Sequence, residues 1–392
     1  MTLRIMTIYG TRPEAIKVAP VIKAIEKASD LESIVVVTGQ HREMLDQVNT
    51  MFGIIPDHDL NIMSAGQSLN GIVAKVISGV DRILELEQPD AVIVQGDTST
   101  VMGAAVAAFN RQVPVIHLEA GLRSGNIDSP FPEEANRKLT SQIAKLHLAP
   151  TETSKANLVH ESISENDIVV TGNSVIDTLL YATKLEVEFS DERLQSLQKQ
   201  RAVDGDTGRA LLVTAHRREN LGDAMAEIGG AVADLARKYE DLTVIFPIHR
   251  NPKVREAALP PLQGLDNVIV TEPMAYAEFT KTLSTVDMVL TDSGGVQEEA
   301  PSLGKPVLVM RENTERPEAV VAGTVKLIGT HRQRIVDEVS MLLDSQEAYS
   351  AMANAVNPYG DGKAADRTVA AIRWRFGDGE RPTNFGATEQ HA

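Results

Sequence analysis

Short runs of consecutive apolar residues recur along the chain, and each is followed by a turn and a segment long enough for a helix. Continuous apolar strands that alternate with helices are typical of a parallel sheet covered on both faces. The pattern occurs in both halves, so it predicts an α/β protein with two doubly wound, Rossmann-like domains. The predicted strands lie at residues 5–9, 34–37, 91–94, 113–116, 146–149, 168–170, 210–214, 243–246, 268–270, 288–290 and 307–310.

Length and turn composition give the predicted domain boundaries. A chain of 392 residues exceeds what one hydrophobic core usually serves. We expect an N-terminal domain at residues 1–172 and a C-terminal domain at 173–362. A helix at 363–377 follows a turn-rich break and is expected to return to the first domain. Residues 378–392 are rich in Gly, Pro and charge, which predicts a disordered tail.

Composition excludes several classes of function. The chain has 54 acidic and 38 basic side chains and a net charge of −16, which argues against nucleic acid or an anionic membrane as partner. There is no cysteine, and no HExxH, EF-hand, P-loop or GxGxxG spacing, so we expect no metal and neither ATPase nor dinucleotide chemistry. No signal peptide or long apolar run occurs, so a cytoplasmic protein is expected.

A Ser-Gly-Gly turn at residues 293–295 separates a predicted strand from a predicted helix. Glycines let backbone N–H groups approach a ligand, and the first turn of a helix attracts phosphate. Glu299 lies one turn further on, where its carboxylate could accept hydrogen bonds from sugar hydroxyls. The alternative is a tight turn that binds nothing, because short Gly-rich patterns also occur by chance.

Polar side chains follow three predicted strands of the first half: Gln40, Asp97 and Glu119. Ligands of doubly wound sheets bind beyond the carboxyl ends of the strands. For each residue alone, capping of the next helix is a sufficient explanation. Several such residues at the same edge of the sheet favour a ligand-binding site there. Glu133 and Glu134 begin a later helix and could reach the same site, although acidic residues are also simply favourable at a helix start.

Two basic residues and a histidine complete the candidate chemistry. Arg12 and Lys17 flank the start of the first helix, where they could neutralise a diphosphate or be ordinary surface charges. His216 ends the first strand of the second half and could donate a proton or contact phosphate, or be a solvated histidine. Carboxylates from one domain opposite an anion site on the other would suit a nucleotide-sugar.

The ordered motifs resemble those of a known family. The chain closely resembles the non-hydrolysing UDP-N-acetylglucosamine 2-epimerases of bacteria over roughly residues 3–376, and so many motifs in one order are specific where a single turn is not. The motifs are GTRPE at 10–14, TGQH at 38–41, QGDT at 95–98, HLEAGLR at 117–123, FPEE-x-NR at 131–137, T-x-HRREN at 214–220, H-x-NP at 249–252 and DSGG-x-QEEA at 292–300.

The resemblance implies a fold like that of the glycosyltransferase B class, a homodimer, and a UDP-sugar in the cleft between the domains. It implies cofactor-free interconversion of UDP-N-acetylglucosamine and UDP-N-acetylmannosamine. The implied path is anti elimination of UDP to 2-acetamidoglucal, followed by re-addition of UDP. We also consider a glycosyltransferase of the same architecture, a hydrolysing epimerase that releases free N-acetylmannosamine, and a UDP-sugar sensor without activity.

The resemblance also implies roles for individual residues. The implied catalytic set is Asp97, Glu119, Glu133 and His216. The implied UDP-sugar contacts are Arg12, Ser293, Gly294 and Gly295 at the diphosphate, Glu299 at the ribose, Lys17 and Arg316 as supporting cations, and Met274 and Phe279 at the uracil. A second, activating UDP-N-acetylglucosamine site is implied at Gln40, His41, Glu133, Arg217 and His249. Glu43, Gly66 and the Met274-Ala275 pair depart from the family pattern.

Overall fold

A computed structural model describes residues 2–39, 42–63, 66–204, 208–314 and 316–386. The chain divides into two compact units. Unit 1 contains the residues up to Thr178 and those from Tyr359 onward, and unit 2 is Leu179–Pro358.

Unit 1 contains seven strands among the described residues, and neighbouring strands are parallel. The sheet order is β3-β2-β1-β4-β5-β6-β7, so the direction of winding reverses between β1 and β4. The strands are β1 Leu3–Tyr9, β2 Leu31–Val37, β3 His58–Asp59, β4 Ala91–Gln95, β5 Val115–Leu118, β6 Leu146–Ala149 and β7 Ile168–Val170. The helices are α1 Arg12–Lys27, α2 Arg42–Phe52, α3 Leu69–Glu87, α4 Ser99–Asn110, α5 Glu133–Ile143, α6 Glu152–His160 and α7 Val175–Ala182, with a 3₁₀ helix at Glu165–Asp167.

Unit 2 repeats the plan with a parallel sheet of order β10-β9-β8-β11-β12-β13 in the part that the structure describes. Its winding reverses between β8 and β11. The strands are β8 Arg209–Thr214, β9 Leu242–Pro247, β10 Val268–Thr271, β11 Met288–Thr291, β12 Val307–Val309 and β13 Val325–Leu327. The helices are α8 Glu192–Asp204, α9 Asp223–Lys238, α10 Pro252–Ala258, α11 Tyr276–Thr285, α12 Gly294–Glu299, α13 Pro317–Ala322, α14 Arg332–Asp344 and α15 Gln346–Ala353, with 3₁₀ helices at Arg218–Asn220, Pro260–Leu262 and Ala300–Leu303.

Two parallel sheets with helical crossovers confirm the predicted fold class. All five residues of β4 are buried, as expected for a strand covered on both faces. The apolar patterns therefore identify the central strands well. β5 spans Val115–Leu118 instead of the predicted residues 113–116, so it includes His117, which follows the predicted strand.

The last helix, α16 Ala364–Phe376, belongs to unit 1. The Asp177 carboxylate accepts hydrogen bonds from the N–H groups of Ala364 and Ala365, at 3.2 and 2.9 Å. At the other end, Arg373 pairs with Asp30. These contacts hold both ends of α16, which packs on α1. Arg373 and Asp30 are 343 positions apart in the chain.

The compact units divide a few residues away from the predicted boundaries at 172/173 and 362/363. Residues 173–178 stay with unit 1 because their hydroxyl groups hold α1. Ser174 Oγ donates to the Lys17 carbonyl at 2.7 Å, and the Thr178 hydroxyl donates to the Ile16 carbonyl.

Residues 384 and 385, inside the segment predicted as a disordered tail, contact strand β7. β7 is an edge strand, and edge strands present peptide groups that another segment can satisfy. Asn384 Oδ1 accepts the Val170 N–H at 3.1 Å, and the Phe385 N–H donates to the Val170 carbonyl at 2.7 Å. The Arg367 guanidinium lies 5.3 Å from the Phe385 ring centroid. Residues 387–392 lie outside the described part of the chain.

Within the described ranges, no helix is both long and apolar enough to cross a bilayer. The same ranges contain no group of three or more His, Cys, Asp and Glu side chains that could hold a metal ion.

Candidate active site

In unit 1, a buried carboxylate joins the turns that follow the two central strands. Glu14 Oε2 accepts the N–H groups of Gly10 and Thr11, both at 2.7 Å, and Thr98 donates its hydroxyl to the other oxygen. Glu14 also forms a capping box with Thr11 at the start of α1. Burial raises the pKa of Glu14 despite these hydrogen bonds. The carboxyl ends of β1 and β4 are consequently held together at the switch point of the sheet.

Glu119 follows β5 and is held by three side chains. Its Oε1 pairs with Lys17 Nζ and accepts Asn173 Nδ2 at 3.3 Å, and its Oε2 accepts Gln95 Nε2 at 2.6 Å. The backbone of Glu119 has φ of +63°, which non-glycine residues seldom adopt. Such conformations persist where surrounding contacts impose them, and they concentrate at functional sites. The Glu119 side chain is 9% exposed, so its carboxylate is largely withdrawn from water.

Asp97, at the end of β4, lies in the same group of charges. Its Oδ2 is 2.5 Å from Arg137 Nη2, and Asn136 Nδ2 donates to its backbone carbonyl at 2.8 Å. Burial raises the pKa of Asp97, with a further increase from the Glu119 charge, and the Arg137 and Lys17 charges only partly oppose these effects. Unit 1 thus brings two carboxylates together, each with its own cation.

Glu133 and Arg12 are less constrained. Glu133 is the first residue of α5 and Arg12 the first residue of α1, and both side chains are half-buried. Neither side chain has a hydrogen-bond or ion-pair partner among the described residues. Glu134 behaves differently from its neighbour, because it is buried and accepts the Ser124 N–H at 3.1 Å and Arg137 Nη1 at 3.0 Å. Of the adjacent pair, Glu133 therefore remains the one available for a ligand.

In unit 2, Asp292 organises the turn that carries His216. The Asp292 carboxylate is fully buried and accepts the N–H groups of His216 and Arg217, each at 2.9 Å from Oδ2. Asn220 Nδ2 donates to the same oxygen at 3.0 Å, and His216 Nδ1 lies 3.2 Å from Oδ1. Burial alone would raise the Asp292 pKa, but the bonds from His216 and Arg217 outweigh it and hold that pKa below its usual range.

The His216 ring is near a second histidine. The ring centroids of His216 and His249 are 6.3 Å apart, with 25° between the ring planes. His216 was predicted for the catalytic set and His249 for the activating site, so the two predicted sets meet here. Arg217 is half-buried beside them. Two further residues predicted for the activating site, Gln40 and His41, lie outside the described residues.

The Ser-Gly-Gly turn opens α12, as the sequence predicts. Ser293 is the N-cap of α12, and its side chain makes no capping hydrogen bond. The Arg316 guanidinium lies against Gly294, where a Cβ atom would come within 2.6 Å of Nη1. Arg316 Nε in turn donates to Glu298 Oε1 at 2.6 Å. Gly295 has open space around it. A cation and backbone N–H groups therefore share the start of α12.

Glu299, predicted at the ribose, is buried and accepts the Tyr276 hydroxyl at 2.9 Å. Tyr276 begins α11 and Glu299 ends α12, so strand–helix units that are consecutive in the chain bring the two residues together. The predicted uracil residues flank the same helix start. Met274 Sδ accepts the Thr282 hydroxyl at 3.4 Å, and Phe279 is half-buried one turn into α11.

Several residues of the site were missed as functional candidates. Arg137, Asn173, Gln95 and Asp292 all contact a predicted catalytic residue directly. Three of them, Gln95, Arg137 and Asp292, belong to the motifs given above. Their contact partners could not be inferred from the sequence, because each contact joins segments far apart in the chain.

Comparison with known proteins identifies the family. Residues 23–373 match the family model described as UDP-N-acetylglucosamine 2-epimerase. The chain belongs to this family. It is 48% identical over 371 residues to the UDP-N-acetylglucosamine 2-epimerase of Escherichia coli (strain K12), which covers 95% of this chain and 98% of that protein. This confirms the family resemblance inferred from the motifs, and the chain is therefore a member of an enzyme family.

Solved structures of epimerases share the fold. The UDP-GlcNAc 2-epimerase from Neisseria meningitidis, bound to UDP-GlcNAc, is 47% identical with a TM-score of 0.81, covering 94% of this chain and 99% of that one. The Methanocaldococcus jannaschii UDP-GlcNAc 2-epimerase, in complex with UDP-GlcNAc and UDP, is 32% identical with a TM-score of 0.72, covering 95% and 100%.

The hydrogen bonds around Asp292 predict a pH-dependent contribution to stability. A folded-state pKa below the usual value of 3.8 stabilises the protein above that pH, and the contribution is lost as pH falls through the folded pKa. Asp292→Asn should lower the free energy of unfolding by about 2–3 kcal/mol at pH 7, because an amide N–H would face donors. Thermal unfolding from pH 7 to pH 3 should show the difference in Tm shrinking below about pH 4.

Asp81→Asn is the matched control, because Asp81 pairs with Arg111 on the surface. It should leave Tm nearly unchanged. A Tm deficit of Asp292→Asn that stayed constant down to pH 3 would contradict the role given to the charged Asp292.

Proposed function

We propose that this chain interconverts UDP-N-acetylglucosamine and UDP-N-acetylmannosamine by inverting carbon 2 of the sugar, without a cofactor. The observation that carries the proposal is the pair of cation-bound carboxylates, Asp97 and Glu119, at neighbouring strand ends in a member of this family. Two such groups can remove a proton from carbon 2 and return one to it.

The chemistry explains why leaving-group stabilisation matters. The hydrogen on carbon 2 is not acidic, so the bond from carbon 1 to the UDP oxygen must first weaken and give oxocarbenium character. The pair of electrons of that bond leaves with UDP, a carboxylate takes the carbon 2 proton, and 2-acetamidoglucal forms. A proton then returns to the opposite face of carbon 2, and UDP adds again to carbon 1. Electrostatic stabilisation of departing UDP is therefore a major requirement.

We propose that Asp97, Glu119 and Glu133 act at the sugar. A general acid or base works best when its pKa lies near the working pH, and burial moves Asp97 in that direction. Lys17 and Arg137 hold Glu119 and Asp97 in place, which limits the motion of each carboxylate.

We propose that UDP binds mainly to unit 2. The N–H groups at residues 293–295, together with Arg316, form the diphosphate site, with His216 and Arg12 assisting. The Glu299 carboxylate accepts hydrogen bonds from the ribose, and Met274 and Phe279 border the uracil. The Neisseria meningitidis relative, solved with UDP-GlcNAc, and the Methanocaldococcus jannaschii relative, solved with UDP-GlcNAc and UDP, support this ligand class.

We further propose that a second UDP-N-acetylglucosamine activates the enzyme. The 6.3 Å separation of the His216 and His249 rings supports this, because a ligand on His249 would lie beside a predicted catalytic group. We also retain the proposal, implied by the resemblance, that the enzyme is a cytoplasmic homodimer.

Incubation with UDP-N-acetylglucosamine in heavy water tests the function. The expected result is reversible formation of UDP-N-acetylmannosamine carrying deuterium at carbon 2, detected by NMR and mass spectrometry. Free N-acetylmannosamine would instead indicate a hydrolysing epimerase. No conversion without an added acceptor would favour a glycosyltransferase, and binding without turnover under any condition would favour a sensor.

Substitution of the carboxylates tests their assignment to the sugar. Asp97→Asn and Glu119→Gln should each lower kcat by about 10²–10⁴-fold, the range typical of general acid–base groups. UDP affinity, measured by calorimetry, should change much less. Glu85→Gln on the exposed face of α3 is the matched control and should retain full activity. Loss of UDP affinity with turnover of bound substrate intact would reverse the assignment.

Kinetics with UDP-N-acetylmannosamine alone test the activating site. If UDP-N-acetylglucosamine must bind before turnover, the reaction should show a lag that a small addition of UDP-N-acetylglucosamine removes. His249→Ala should weaken this response while His331→Ala, in unit 2 at the start of α14, should not. A linear time course that added UDP-N-acetylglucosamine leaves unchanged would count against the proposal.

A further inference from the structure

We propose that His117 is a positioning residue for Asp97, acting through a hydrogen bond to the backbone of the turn that carries the carboxylate. The inference rests on the proposed function, in which Asp97 exchanges a proton with the sugar. It adds to that function the residue that fixes the position of the Asp97 backbone.

His117 lies inside β5, between β4 and β6, in register with Val94 and His147. Its side chain is 1% exposed, and its Nε2 lies 2.8 Å from the Gly96 carbonyl oxygen. That carbonyl belongs to the peptide group that joins Gly96 to Asp97. Because a peptide group is planar, holding its oxygen also holds the Asp97 backbone nitrogen.

The Gly96 turn is held from β5 on both sides of the residue. The Gly96 N–H donates to the Leu118 carbonyl at 3.0 Å, while its carbonyl accepts the His117 ring N–H. Gly96 has φ of +82°, a conformation that favours glycine and that costs chain entropy to hold. The hydrogen bonds to Leu118 and His117 hold Gly96 in this conformation.

The second peptide group of Asp97 is held from another element. Asn136 Nδ2 donates to the Asp97 carbonyl at 2.8 Å, and Arg137 pairs with the Asp97 carboxylate. The peptide groups before and after the Asp97 Cα atom are therefore each fixed by a side chain. Since Glu119 follows directly at the end of β5, one strand sets both carboxylates relative to each other.

The burial of His117 favours a permanent donor. A carbonyl oxygen only accepts, so Nε2 must carry the proton of the neutral ring. Burial, aided by the Arg123 and Arg137 charges, lowers the His117 pKa to about 4, although the hydrogen bond to the Gly96 carbonyl and the Glu119 charge oppose the change. Nδ1 is buried without a partner in the described residues, which costs stability that an aliphatic side chain would not incur. The advantage of histidine over an aliphatic residue at this position is therefore the hydrogen bond from Nε2 to the Gly96 carbonyl.

Three single variants separate positioning from packing. His117→Gln places an amide N–H where Nε2 stood and should retain kcat within about threefold. His117→Leu fills similar volume without a donor, and should lower kcat by about 10–100-fold with UDP affinity unchanged, because small misplacements of reacting groups cost rate. His147→Leu is the control, since His147 is an equally buried histidine on the next strand that bonds to Ala144 instead.

A double-mutant cycle with Asp97→Asn decides whether His117 acts through Asp97. In that background, His117→Leu should change the remaining rate by less than about twofold. An undiminished effect in the Asp97→Asn background would overturn the proposal. Equal losses of kcat in His117→Leu and His147→Leu would also overturn it, because both would then reflect general disturbance of the core.

Hydrogen–deuterium exchange separates this proposal from the proposed function. Peptides covering residues 95–98 should exchange faster in His117→Leu than in the wild type, His117→Gln or His147→Leu. If the wild type shows no epimerase activity, the proposed function fails alone, and this measurement still decides whether His117 holds the turn. Unchanged exchange in His117→Leu would overturn the positioning role whatever the activity.

Discussion

Two carboxylates that share a partly buried region of unit 1 repel each other, and this repulsion shapes the structure around them. Asp97 and Glu119 follow neighbouring strands, β4 and β5, and each raises the cost of charging the other. Lys17 and Arg137 compensate one carboxylate each. The network is stable only while every member keeps its partner, because an unpaired buried charge is strongly destabilising.

Unit 2 uses the same sheet geometry for a different purpose. At its switch point, the buried carboxylate of Asp292 collects backbone and side-chain donors from the turn that carries His216. The start of α12 beside it exposes N–H groups, with Arg316 lying against Gly294. Unit 1 thus concentrates acid–base groups, and unit 2 concentrates groups that favour an anion. The proposed elimination of UDP needs both.

The sequence predicts the fold well and the site in part. Continuous apolar strands such as β4 give strong local signals, and the Thr11–Glu14 spacing predicts the capping box that is observed. Contacts between distant segments leave no such signal. Nothing local to His117 indicates that its ring reaches the Gly96 carbonyl. Composition likewise does not show that Asn384 and Phe385, within the predicted tail, meet the edge strand β7.

The central claim is that Asp97 and Glu119 are the groups that act on carbon 2 of the sugar. A crystal structure of the protein with UDP-N-acetylglucosamine tests it most directly. Carbon 2 is expected to lie about 3–3.5 Å from a carboxylate oxygen of Asp97 or Glu119, the separation expected for reacting groups. A bound hexose that lies beyond reach of both carboxylates would contradict it.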